Sequence, residues 1–378
     1  MSKPNVLVLG GVGFIGRNFV QYLIQNDLVG HIRVVDKVLP ATAYLTADQK
    51  AIFTDPKVEF KQANLVNAAS TEKAFTRDDG SQFDYVFNLA AETKYGQAEQ
   101  VYEEKVYQLS LTVAKEAAKR KVKVFVEVST AQVYEAGKKP TAEDGKLKPW
   151  TSVAKFKHKA EDELLKIPGL NLIIVRPATV YGPSDTLGLT PRLITGAVYR
   201  HLKEELKFLW TKDLKLNTVH VLDVSRALWH VAASQTEKGG RSGPITPGEI
   251  YNVCDHGETD QGTINNFIGS IFGIETGFQG TMISQFAKLN LESITEEAND
   301  KHLQPWSELC KAGDIQNTPL TPYLDRELLK DNALSVDGTK IEKTLGFTYT
   351  HPQVTEALLK QVIDEFVANK LWPNGTTK

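Results

Sequence analysis

Short aliphatic runs recur through the first half of the chain: VLVLG at 6–10, IRVVD at 32–36, VEF at 58–60, YVFNLA at 85–90, VFVEVS at 124–129 and LIIVRP at 172–177. Continuous Val, Ile and Leu, rather than strict alternation with polar residues, mark strands covered on both faces. Polar turns and helix-length segments separate the runs, so the pattern predicts an α/β chain with a doubly wound parallel sheet. Right-handed crossovers then bring every strand C-terminal end to one edge, where such sheets bind ligands. Residues 100–121 and 152–166 carry apolar positions at three-to-four spacing and are predicted helices. Packing on the core accounts for that spacing; a homodimer surface made by the same two helices is a second use.

After Gly182 the alternation fails. Pro183 and Pro191 precede a predicted helix at 191–209, and return strands are expected near Thr218–Val221 and Ile250–Val253. Residues 1–182, with returns near 217–232 and 249–254, are read as the sheet domain. Residues 183–216 and 255–378 are read as a smaller, discontinuous lobe with C-terminal helices. The polar stretch 277–330, with Pro305, Pro319 and Pro322, is expected to hold loops and short helices.

Composition removes several classes of function. Of 378 residues, 41% are hydrophobic and 24% charged, enough for a packed core. The 44 basic and 46 acidic side chains are mixed along the chain, so no basic stripe points to nucleic acid. Cys254 and Cys310 are too few for a disulfide framework and read as buried thiols. His158 and His220 lack a second ligand at metal spacing, so no metal is expected. No apolar run approaches the ~20 residues that span a bilayer. A first strand at about Asn5 leaves no room for a signal peptide, so a cytoplasmic location and no membrane contact are expected.

The chemistry starts in VLVLGGVGFIG, Val6 to Gly16, a buried strand entering a glycine turn and then a helix. Gly10, Gly13 and Gly16 permit a sharp turn, close approach of a pyrophosphate, and packing of helix on sheet; the helix start supplies free N–H donors. Asp36 ends the second strand about twenty residues later, where a carboxylate can accept from ribose hydroxyls. It would repel a 2′-phosphate, which favours NAD over NADP, although Lys37 offsets part of that charge. An ordinary turn residue is the other reading of Asp36.

Taken with further segments, these residues resemble the extended short-chain dehydrogenase/reductases, the group of NAD-dependent epimerases and dehydratases and 3β-hydroxysteroid dehydrogenase relatives. The likeness covers Asn88 to Ala91, Ser129 to Tyr134, Arg176 to Pro183, Val219 to Val224, Ile250 to Val253 and Lys340 to Phe347. It implies a Rossmann domain whose cofactor meets Gly10, Gly13, Phe14, Ile15 and Gly16 at the turn and Asp36 at the ribose. Asn64, in a position usually held by aspartate, would meet the adenine, with Leu65, Leu89, Ala90, Ala91, Lys157 and Pro177 completing the contact.

In that family a tyrosine and a lysine four residues later move a proton while hydride goes to or from the nicotinamide, and a serine or threonine holds the substrate oxygen. The hydroxyl matches Thr130 and the lysine matches Lys157, in a helix whose glutamate is Glu161; the tyrosine slot is then Val153. Shifting the register to Lys155 puts Thr151 there, a far weaker acid than a phenol. Tyr134 with Lys138 and Tyr199 with Lys203 repeat the spacing by coincidence. Ala131-Gln132 stands where dehydratases carry Asp-Glu, which disfavours sugar dehydration. Glu92 and Tyr95, on the substrate side in the family, are candidate replacement acids or plain surface residues. Lys157 is either a ribose contact or a solvated helix lysine, while Tyr181 is read as structural and Asp223 as an anchor for the return strand. Two functions remain: a degenerate or regulatory NAD-binding member, or an active oxidoreductase or epimerase on a nucleotide sugar or similar hydroxyl substrate with a non-standard acid.

Overall fold

The computed structural model describes residues 3–236 and 248–378. The strands are β1 (Asn5–Leu9), β2 (His31–Asp36), β3 (Val58–Gln62), β4 (Tyr85–Asn88), β5 (Val124–Val128), β6 (Leu172–Pro177), β7 (Thr179–Tyr181), β8 (Leu206–Phe208), β9 (Thr218–His220), β10 (Glu249–Val253) and β11 (Thr276–Phe278). A seven-stranded sheet runs in the order β10-β6-β5-β4-β1-β2-β3. Its ladders are parallel, with Val6 opposite both Ile32 and Tyr85. The order reverses between β1 and β4, which opens a crevice beyond their C-terminal ends.

Strand periodicity divides each run between two cores. Val6, Val8, Val124 and Val126 face one layer with Phe19 and Leu23, whereas Leu7, Leu9 and Phe125 face the other with Phe75 and Val113. The covering helices are α1 (Phe14–Gln25), α2 (Ala47–Phe53), α3 (Ala68–Phe75), α4 (Glu99–Tyr102), α5 (Leu109–Lys119), α6 (Ser152–Leu164) and α8 (Val221–Thr236), whereas α7 (Thr190–Leu202) packs apart from the sheet. A π-helical turn, Glu103–Gln108, joins α4 to α5. The helix expected at 100–121 thus runs without a break from Glu99 to Lys119, with the π-helical turn inside it. Tyr102 and Val106 pack on Val153 and Phe156 of α6, with the Tyr102 and Phe156 rings stacked 6.0 Å apart. Core packing thus uses the apolar spacing of both helices.

The remaining helices are α9 (Gln261–Phe272), α10 (Thr281–Leu289), α11 (Leu291–Ala312), α12 (Lys340–Leu345) and α13 (Glu356–Ala368). Around α7 and α9 a separate core gathers Leu193, Ile268, Phe272, Trp306, Phe366 and Trp372. Two expectations fail here. The predicted helix 191–209 stops at Leu202, where Lys203 turns left-handed at φ 58°, and Leu206–Phe208 pairs instead with β11. The stretch expected to be loops and short helices contains the 22-residue α11. Its buried face is Thr295, Asn299, His302, Pro305, Trp306 and Cys310. That is helical spacing written half in polar residues and interrupted by a proline, which a hydrophobic pattern does not register.

Candidate functional site

A cleft of about 810 Å³ lies along the C-terminal edge of the sheet, between the turns after β1, β2, β4, β5 and β6 and the lobe. Every residue assigned to the cofactor by resemblance lines it, as do Thr130 and Val153. Gly10 has φ 75°, and a Cβ there would stand 2.6 Å from the backbone nitrogen of Ala90. A Cβ on Gly16 would meet the Gly10 oxygen at 2.3 Å. Only glycine fits either place. No side chain caps α1 at Gly13 and no acidic residue stands in its first turn, so its N–H groups are left for an anion. This cradle fits a dinucleotide pyrophosphate.

Asp36 is both turn residue and cleft residue. Its Oδ2 accepts from Val12 N and its Oδ1 from Val38 N, each at 3.0 Å, and a carboxylate has lone pairs to spare. Arg17 donates to the Val12 carbonyl; burial lowers its pKa to about 10 against the charges of Glu365 and Asp36. Asn64 is exposed and accepts from Val66 N through Oδ1.

The other side of the cleft holds the groups expected to bear on proton transfer. Val153 lines the cleft from α6, and Thr151 caps the same helix by accepting from Ala154 N while donating to Gln132 Oε1 at 2.9 Å. Tyr95 shares that acceptor at 3.4 Å, and burial pushes its hydroxyl up to about 12. Thr130 accepts from Gln132 N. Glu92 lies 3.8 Å from Lys37 and accepts from Lys94 N. Lys157 is not a solvated helix lysine: it is buried and donates to Glu127 Oε1 at 2.9 Å. Glu127, in the middle of β5, also accepts from Asn88 and Ser110.

Other residues singled out by spacing lie outside the lining of this cleft. Tyr134 donates to Asn252 and accepts from Arg176, which also donates to Glu161, while Lys138 pairs with Asp213. Tyr199 sits in the lobe under Lys301. Asp223 does not anchor the return strand; from the first turn of α8 it accepts from Thr350 N and His351 N, fastening the C-terminal segment. The Tyr181 hydroxyl and the thiols of Cys254 and Cys310 are buried, and His220 stacks on His351 at 3.9 Å. Among the described residues no group of three or more His, Cys, Asp and Glu is placed to hold a metal, and no helix is long and apolar enough to cross a membrane.

Sequence reasoning missed Glu127, Arg192 and Glu327. For Glu127 a signal existed, because a lone acid inside the buried run VFVEVS must be paired. Arg192 lines the lobe side of the cleft. Glu327 accepts from Ser152 N at 3.0 Å and Ser152 Oγ at 2.6 Å, joining the start of α6 to the segment that carries Leu328 and Leu329. Neither of these two stands in a recognisable motif.

A family described as the NAD dependent epimerase/dehydratase family matches residues 6–254. The uncharacterized protein PB2B2.11 of Schizosaccharomyces pombe is 23% identical over 300 residues, 71% of this chain and 82% of that protein. The UDP-glucose 4-epimerase of Thermotoga maritima, solved with UDP-glucose, aligns with TM-score 0.63 and 21% identity over 96% of this chain and 99% of that one. DesIV, a dTDP-glucose 4,6-dehydratase of Streptomyces venezuelae solved with NAD, aligns with TM-score 0.66 and 21% identity over 98% and 99%. Pal of Bacillus thuringiensis gives TM-score 0.67 at 16% identity over 96% and 99%.

Proposed function

The chain belongs to the NAD dependent epimerase/dehydratase family, and from that premise we propose that it binds NAD in the cleft and works as a cofactor-dependent ligand binder without the tyrosine–lysine proton relay. The glycine turn and the start of α1 hold the pyrophosphate, Asp36 the adenosine ribose, and the backbone of Leu89–Ala91 the dinucleotide between them. Bound NAD supplies a hydride acceptor. Carrying the proposal is the pairing of Lys157 with Glu127 beside Val153. A valine has no exchangeable proton, and an ammonium neutralised by a buried carboxylate has little field left to lower a neighbour's pKa.

A second reading rests on Tyr95, whose hydroxyl enters the cleft beside Gln132. A phenol held protonated by burial could give its proton to the oxygen of a carbonyl whose carbon would take hydride from the reduced cofactor, and Glu92, turned to Lys37, is less suited to that role. A titration with NADH fluorescence followed by a panel of hydroxyl and keto substrates separates the two. Binding without turnover supports the binder. Turnover that disappears in Tyr95→Phe and persists in Glu92→Gln assigns the chemistry to Tyr95 and overturns it.

A further inference from the structure

The two walls of the cleft differ in whether their cations have acids beside them. Before residue 177, Asp36, Glu92 and Glu104 line it together with Arg17, Lys37, Lys94, Lys105 and Lys157, whereas from Pro177 onward it is lined by Arg192, Lys215 and Lys330 and by no Asp or Glu. Arg192 projects from the first turn of α7, a place where a cation is disfavoured by the helix dipole. Among the described residues its side chain makes one hydrogen bond, to Gln261 Oε1 at 3.3 Å, and no ion pair, and its guanidinium lies 5.2 Å from the centre of the Phe208 ring. Lys215 and Lys330, by contrast, reach the carbonyls of Glu258 and Trp150.

Around Arg192 the wall is apolar: Phe208, Leu209, Trp210, Leu216, Leu328 and Leu329. Of its polar side chains, Gln261 and Trp210 are already engaged, while Thr179, Thr186 and Asn332 also line this half. Both Gln261 bonds from Nε2 go to Leu209 O and Thr211 O, and the Trp210 indole donates to Leu329 O at 2.8 Å. A sugar ring carries several hydroxyls that need partners when desolvated, and this wall offers few. A hydrocarbon or aromatic body needs none. A guanidinium left without a counter-charge at the edge of such a wall is matched by one anionic group.

We propose that the lobe half of the cleft takes an amphipathic small molecule, its single carboxylate or phosphate held by Arg192 and its apolar body laid against Phe208, Trp210 and Leu328. The proposal rests on the reading of the cleft as a ligand site and names the class of ligand. It does not depend on NAD being the dinucleotide, and the measurement keeps the two apart.

Calorimetric titrations of the full-length protein, with and without NAD, compare decanoate, decyl phosphate, 1-decanol and UDP-glucose. Decanoate or decyl phosphate binds tightest, and whichever of the two is tighter identifies the head group. Arg192→Met weakens the anions by about tenfold to a hundredfold and leaves 1-decanol unchanged. Arg192→Lys recovers part of the loss, and an unchanged NAD titration shows that both variants are folded. UDP-glucose binding tighter than either anion, or anion affinity indifferent to Arg192→Met, overturns the proposal. Anion binding that persists when NAD fails to bind counts against the cofactor reading alone.

Discussion

Lys157 donates to Glu127 across 2.9 Å, from helix α6 to the middle of strand β5, with both side chains buried. Neither charge can be removed alone at small cost. Glu127→Ala strands an ammonium in the interior and is expected to lower unfolding free energy by about 3–5 kcal/mol. The double variant Glu127→Leu with Lys157→Met, which leaves no charge behind, loses less than the single change. Urea unfolding of the two variants measures the difference.

The same pair sets what a restored phenol would do. Val153→Tyr places a hydroxyl one helical turn before Lys157. With Glu127 present, that tyrosine is expected to titrate no lower than the usual ~10. Adding Glu127→Gln frees the ammonium, and the new phenol then titrates lower. Ultraviolet difference titration against the parent protein reports both values without any substrate.

Asp36 makes a prediction about cofactor choice. A carboxylate that accepts from ribose hydroxyls supports NAD and opposes a 2′-phosphate, so Asp36→Ala weakens NAD by about tenfold and leaves NADP unchanged or tighter. Equal losses for both would show that the residue matters only for the turn it makes with Val12 and Val38. NADH and NADPH fluorescence titrations decide between these outcomes.

His302 gives a pH dependence. Buried in α11 with neither ring nitrogen bonded, it is held at about 4, below its ordinary 6.5, by burial first and then by Lys301. The unfolded chain therefore binds a proton that the folded one refuses, and stability is lost as pH falls from 6.5 toward 4. The contribution is on the order of 3 kcal/mol at the acid end of that window. His302→Phe is expected to flatten this limb in chemical denaturation curves taken across it, with NAD affinity unchanged.

The sheet was legible because its strands are aliphatic and buried on both faces, so β1 to β6 stand where the runs in the sequence stand. The glycine turn was legible for a different reason: Gly10 and Gly16 touch backbone so closely that no other residue fits. The lobe was hidden because its information is polar or long-range. Helix α11 buries Thr295, Asn299 and His302 where a pattern reader looks for leucine. The partner of Lys157 lies thirty residues away on another element, and the partner of Ser152 lies 175 away. Pairings of that kind follow from topology, which spacing along the chain does not encode.

The core around Phe272, Trp306 and Trp372 shares no member with the two cores that clamp the sheet. Amides of α7, α9 and α13 are accordingly expected to exchange with solvent at rates set apart from those of the sheet. Loosening there would blur the side of the crevice that carries Arg192 while the nucleotide cradle stays rigid.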